Sequence, residues 1–190
     1  MNRTFRRCVL TIAMLVPTAG FAQESVNRYV HDNEHRILSE FVQMLSIPNV
    51  ASDSIGIARN VAFITNAMEK RGLSPRLLRA RDAHAPPLIY GEWKSPAAKR
   101  TIVFYAHYDG QPTDPAKWNG SKPWEPVIRS AALERGGTIL TMPASGQKID
   151  PEWRVYARSA SDDKAGVMAF LAAIDALRSS KLSPTVNIKL

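Results

Sequence analysis

TIVFYAHYDG, residues 101–110, is the segment on which the fold reading turns. Its opening half, Thr101 to Ala106, is β-branched, aromatic or apolar, which is the composition of a buried strand. His107 and Asp109 stand at the end of that strand. Side chains two apart in an extended chain point to the same side, so both can face one pocket while Tyr108 turns away. In an open α/β sheet such a pocket lies beyond the carboxyl ends of the strands. An imidazole placed there is a natural ligand for a divalent metal, and a carboxylate two residues on can accept its other ring N–H. A surface turn containing His and Asp gives the same short pattern, so these residues alone do not decide between the two readings.

A second group of acids shifts the balance. SASDDKAG, residues 159–166, puts Asp162 and Asp163 at the start of a strongly periodic helix. Helix capping accounts for one acid there, because a carboxylate accepts backbone N–H bonds and meets the positive end of the dipole. Two adjacent carboxylates facing one polar site repel each other, and a cation relieves the repulsion. A carboxylate can also bridge two metals about 3.5–4 Å apart.

Outward from these motifs the chain alternates helices and strands. Residues 25–50 read as one long amphipathic helix, with Val30, Ile37, Leu38, Phe41, Val42 and Leu45 largely on one face. Residues 54–73 read as a second helix closed by Gly72 in a left-handed cap. Strands are expected around 75–79, in PPLIYGEW and RTIVFYAH joined by KSPAAK, in PVIR, TILTM and WRVYAR, and in the final SPTVNIKL. Residues 162–180 form the helix that carries Val167, Phe170, Leu171, Ile174 and Leu177 on one face. The expected class is α/β, a layered mixed or mostly parallel sheet with helices on both faces, incomplete at the C-terminus. A chain that stops within a β-branched strand reads as part of a longer protein.

The 190 residues, 45% hydrophobic and 22% charged, suit one globular domain. MNRTFRR, a short apolar run and small residues at Gly20 and Ala22 have the layout of a secretory signal peptide over residues 1–22. A buried first helix is the alternative, and Pro17 and Gly20 argue against it. Removal of that segment takes away Arg3, Arg6 and Arg7, lowering the formal charge from +8 to +5, and takes away the single cysteine. Residues 23–190 therefore lack thiol chemistry, and any metal falls to His, Asp and Glu. The basic residues are scattered, with no stripe or module of the kind nucleic-acid binding requires. No partner membrane is expected once the signal is gone, and export to the periplasm or outside a bacterial cell is.

His107-Tyr108-Asp109 after an apolar strand, with Asp162-Asp163-Lys164 opening a helix, resembles the dizinc metallopeptidase family of carnosinase-like dipeptidases, aminoacylase, glutamate carboxypeptidase and acetylornithine deacetylase. HYDGQPTDPAKW, RSASDDKAGVMAFLAAIDAL and FVQMLSIPNVA look most like its dipeptidase-type members. The resemblance implies that His107 binds one of two divalent metals, that Asp162 bridges both, and that Asp109 orients His107 as part of the catalytic machinery. It implies zinc, with manganese or cobalt as alternatives, and a cis peptide after Asp162. Departures stand at Ala157, Ser159 and Ala165, where the family often has glycine, and at Gly166, one place later than usual. The family's glutamate pair, with its general base, follows the strand that VNIKL resembles; a lid domain and further ligands come later still. On this reading residues 23–190 are the N-terminal part of a catalytic domain, inactive alone, whose dimerisation through the lid belongs to a longer chain. A catalytic zinc has about three protein ligands.

The implied reaction is hydrolysis of an amide bond in a dipeptide, small peptide or N-acyl amino acid. Two other readings stay open: a deacylase with the same metals, and a binding module that has lost the remaining ligands. Among other candidates, His31 and His35 have helical metal spacing, but Asp32 stands where HExxH needs glutamate, so a solvated face is expected. His84 is read as a loop residue, Trp118 and Trp124 as packing groups or the lining of a substrate mouth, and Lys164 as a surface lysine. Ser161 three before Lys164 lacks the partner motifs of a serine nucleophile. The segment LERGGTILTMPASGQKIDPEW is expected to lie at the mouth of the site.

Overall fold

Asn33 divides what the sequence predicts as one helix. In the computed structural model, which describes residues 18–82, 85–118 and 120–190, helix α1 is Thr18–Asp32 and helix α2 is Glu34–Leu45. Asn33 leaves helical geometry at φ −117° and ψ 9°. Its side-chain Nδ2 donates to the Tyr29 carbonyl at 2.9 Å. Asparagine competes for backbone groups in this way, which makes it a helix breaker. Helix α1 continues through Gly20, contrary to the expected break. One glycine inside a helix costs only about 1 kcal/mol.

Helix α3, Ser54–Lys70, starts where Asp53 accepts the Gly56 N–H at 3.0 Å. It ends at Gly72, whose φ of +65° is the expected left-handed cap. Helix α4 is Lys164–Ser179. Helices α1 and α2 both pack on α4. Met44, Ile64, Met68, Leu73, Leu171 and Ile174 form the centre of the core they enclose. Arg71 ties this junction together. Its guanidinium, 6% exposed as a residue, reaches both Glu40 oxygens at 3.0 and 2.8 Å from α2 and Asp175 at 2.8 Å from α4.

The strands form three small sheets. Strand β1, Arg76–Leu78, pairs antiparallel with β2, Leu88–Tyr90. Strands β3, Glu92–Trp93, and β4, Thr101–Val103, are not neighbours: β8, Asn187–Lys189, lies between them. It runs antiparallel to β3 and parallel to β4, with Ile102 opposite Ile188. In the third sheet β5, Val127–Arg129, lies between β6, Ile139–Leu140, and β7, Arg154–Tyr156, both antiparallel to it. The α/β class is as the sequence predicts.

The parallel β4–β8 pair fixes where chemistry can occur. Parallel neighbours need a crossover, and α4 enters β8 from it. A crossover helix runs back against its strands, so the start of α4 lies beyond the carboxyl end of β4. His107 and Asp162 are therefore delivered to the same end of the sheet by topology alone. Among the described residues no helix is long and apolar enough to cross a membrane.

Residues 141–152 correct the expected placement of the long excursion. His35 Nε2 lies 2.8 Å from the Pro143 carbonyl, and Glu34 accepts the Ile149 N–H at 3.1 Å. The excursion thus docks on the first turn of α2. Ten residues at 1.5 Å each put that turn about 15 Å from the far end of α2, which faces the site. His35 has a structural partner, and the break at Asn33 removes the one-face spacing from His31. His84 lies outside the described residues, as do residues 1–17 of the expected signal segment.

Candidate metal centre

His107 sits just past β4, with its side chain one-third exposed. Its Nδ1 lies 3.0 Å from the Asp109 carbonyl and 3.2 Å from Asp109 Oδ1. Its Nε2 lies 2.9 Å from Asp162 Oδ1. The imidazole is thus held edge to edge between two carboxylates, one from its own strand end and one from the turn before α4. Burial pulls its pKa down, but the bonds from Asp162 and Asp109 outweigh that, and the net pKa is raised above the ordinary histidine value. Tyr108 turns the other way, as alternation requires. It is 9% exposed, its hydroxyl donates to the Pro87 carbonyl at 2.6 Å, and burial followed by the nearby Asp109 charge pushes its pKa to about 12.

The two adjacent acids divide their work. Asp162 has an 87% exposed side chain and points to His107. Asp163 occupies the N-cap position of α4 without capping it through its side chain. Its Oδ2 instead accepts the His107 backbone N–H at 3.2 Å. The peptide between them is cis. Gly166 is required where it stands, because a Cβ there would come within 2.5 Å of Asp163 Oδ1 and 3.1 Å of the Ala106 Cβ.

Lys164 corrects the expectation of a surface lysine. The residue is fully buried, and Nζ donates to the carbonyls of Met44 and Ile47 at 2.8 Å each. Burial pushes its pKa down to about 7. It joins the start of α4 to the end of α2, whose last carbonyls lack helical partners. Neither Asp163 nor Lys164 was recognisable as a support from local pattern. The one available signal was an acid–acid–lysine run before a helix whose first turn is otherwise apolar and small. Trp118 donates to Thr113 Oγ1 at 2.8 Å, within its own loop, while Trp124 reaches Asn49 Oδ1 at 3.3 Å.

An imidazole nitrogen and a carboxylate oxygen suit a divalent transition metal. Two ligands of one tetrahedral ion at about 2.0–2.1 Å stand about 3.3 Å apart, so the 2.9 Å gap between His107 and Asp162 needs to open by only a few tenths of an ångström. With Asp109 holding Nδ1, the pair fits one edge of a coordination sphere. Among the described residues no group of three or more His, Cys, Asp or Glu side chains could hold a metal ion. A cavity of about 500 Å³ opens beside His107 and Asp109, its apolar wall including Phe104, Tyr108, Val167 and Phe170.

Comparison with known proteins gives a family match and a fold match. Residues 103–190 match the profile of Peptidase family M20/M25/M40. The chain is 26% identical over 163 residues to the Cys-Gly metallodipeptidase dug1 of Schizosaccharomyces pombe, covering 78% of this chain and 30% of that protein. It is 26% identical over 152 residues to the succinyl-diaminopimelate desuccinylase of Acidovorax ebreus, covering 78% of this chain and 33% of that one. The fold matches that of the dipeptidase Dug1p of Saccharomyces cerevisiae with a TM-score of 0.67 at 19% identity, over 87% of this chain and 33% of that chain. The chain spans about a third of the length of the relatives it matches.

Proposed function

We propose, from the match of residues 103–190 to Peptidase family M20/M25/M40, that the protein is a metal-dependent hydrolase of amide bonds in dipeptides or small peptides. The observation that carries the reading is the 2.9 Å approach of His107 Nε2 to Asp162 Oδ1, with Asp109 behind Nδ1. A divalent ion bound there supplies Lewis acidity and lowers the pKa of its water.

His107 and Asp162 would hold the ion, zinc by donor set, with Asp162 free to reach a second. Asp109 accepts the Nδ1 proton and thereby fixes the tautomer in which Nε2 carries the lone pair. When the imidazole is protonated, the Nε2 proton is shared with Asp162 and must leave before His107 can act as a ligand, so loading of the protonated form releases acid. Asp163, through the His107 N–H, keeps the strand end in register with the turn. Residues 1–190 alone, with two ligands of a larger set, are inactive in this proposal. The same proposal includes removal of residues 1–22 on export to the bacterial periplasm or beyond, and dimerisation of the longer chain.

The desuccinylase relative supports a second reading, a deacylase of N-acyl amino acids with the same metal pair. The test is hydrolysis by the full-length protein of Cys-Gly, β-Ala-His and N-acyl amino acids, after chelation and after return of zinc, manganese or cobalt. Metal-dependent cleavage that disappears in His107→Ala supports the hydrolase. Cleavage that survives both chelation and His107→Ala refutes it, and the substrate profile separates the two readings.

A further inference from the structure

We propose that Asn49 is a positioning residue: it clamps the strand end carrying His107 to the turn carrying Asp162, and so sets the separation between them. Asn49 follows α2 and is completely buried. Its Nδ2 donates to the Tyr108 carbonyl at 2.8 Å, between His107 and Asp109 in the chain, and to Ser159 Oγ at 2.9 Å, three residues before Asp162. Its own carbonyl accepts the Gly110 N–H at 2.7 Å, and its Oδ1 accepts Trp124 Nε1 at 3.3 Å. One side chain therefore spends both amide protons joining the two halves of the site.

The surroundings leave little freedom for this link to be incidental. Ser159 has φ 62°, in the left-handed region that glycine favours, yet the position holds a buried serine whose Oγ meets Asn49. Gly110 leaves space for that meeting, since a Cβ on it would come within 2.5 Å of Ser159 Oγ and within 3.0–3.1 Å of the Asn49 amide. A helix or strand needs none of these contacts. They connect loops, and the loops they connect are the one that runs on from His107 and the one that leads into Asp162. The functional meaning of the clamp rests on the hydrolase reading above, but the clamp itself is a matter of geometry.

Ser159→Gly separates positioning from stability. Glycine relieves the left-handed backbone, so the fold is retained, while the Asn49 contact to the turn is lost. The readout is the ring-nitrogen spectrum of His107 in histidine-labelled protein, assigned with His107→Gln, with exposed His31 as the internal reference. Asn49→Ala is the second variant, and Arg71→Lys, remote from the site, is the stability control. The expected result is that both clamp variants move the His107 ring signals toward those of His31, at temperatures where circular dichroism reports full folding, while Arg71→Lys does not. His107 signals unchanged in Ser159→Gly, or already like those of His31 in the wild type, overturn the proposal. This readout needs neither metal nor substrate, so it stands or falls separately from the hydrolase assay.

Discussion

Replacing Lys164 by methionine tests how the end of α2 is held to the start of α4. Methionine keeps most of the apolar stem and removes the amine that bonds the Met44 and Ile47 carbonyls at 2.8 Å. Met44 O keeps a backbone partner, the Ile47 N–H at 3.3 Å, while Ile47 O loses its side-chain donor. Two buried hydrogen bonds are worth about 2–3 kcal/mol together. Against this stands the cost of burying a charge, which burial expresses by lowering the lysine pKa from 10.5 to about 7. Between those values the unfolded chain binds a proton that the native chain does not, so native stability rises with pH. Each unit corresponds to about 1.4 kcal/mol, so the gain from pH 7.5 to 9.5 is roughly 2–3 kcal/mol. The variant lacks this term. Urea unfolding followed by tryptophan fluorescence at pH 6, 7.5 and 9.5 gives the difference between the two proteins, and other titrations cancel in it. Wild type and Lys164→Met should be close in stability near neutrality, with the wild type ahead by about 2–3 kcal/mol at pH 9.5. A difference that stays flat from pH 6 to 9.5 refutes the buried-amine argument.

Arg71→Met strips the buried partner from Glu40 and Asp175, whose side chains are only 19% and 17% exposed, and leaves them only the more exposed Arg36 at 3.3 and 3.1 Å. Loss of about 3 kcal/mol is expected, at the low end for a broken buried pair, read as a melting temperature lower by about 6–12 °C in calorimetry. Gly110→Ala forces a methyl against Ser159 Oγ and should cost about 1–3 kcal/mol in urea unfolding. Part of that loss should return in the double variant with Ser159→Gly, and strict additivity would show that the two positions do not touch. Asp162→Asn removes the strongest bond opposing the burial of His107, so the raised His107 pKa should fall toward the ordinary value in an NMR titration. With the sign followed through, the wild-type contribution of protonated His107 is present below the unfolded histidine pKa and fades as pH climbs through the raised folded one. The variant should lose it at lower pH, and an unmoved His107 titration would count against the observed contact.

The parts of the fold legible in the sequence are those governed by local periodicity. Val167, Leu171 and Ile174 announce α4 by spacing, and Gly72 announces the end of α3 by being the residue that tolerates φ +65°. Pairing was not legible, because β8 separates β3 from β4 across about a hundred residues of chain. The site divides the same way. Alternation singles out His107 and Asp109, although β4 itself ends at Val103, and an acid pair at a helix start singles out Asp162. What brings them within 2.9 Å is long-range: the crossover that delivers α4 to the end of β4, and buried polar groups whose partners lie far away in sequence. Lys164 reads as a surface residue because lysine is almost never fully buried unless paired. Its partners are two carbonyls some 120 residues earlier, visible only after folding. Asp163 reads as a cap, and the structure gives its carboxylate to His107 instead. A buried polar residue must find its partners or unfold its neighbourhood. The pattern of Lys164, Asp163 and Asn49 thus argues that the site is held by desolvated hydrogen bonds rather than by packing. Its geometry should therefore be lost abruptly when one of those bonds is removed, rather than loosening by degrees.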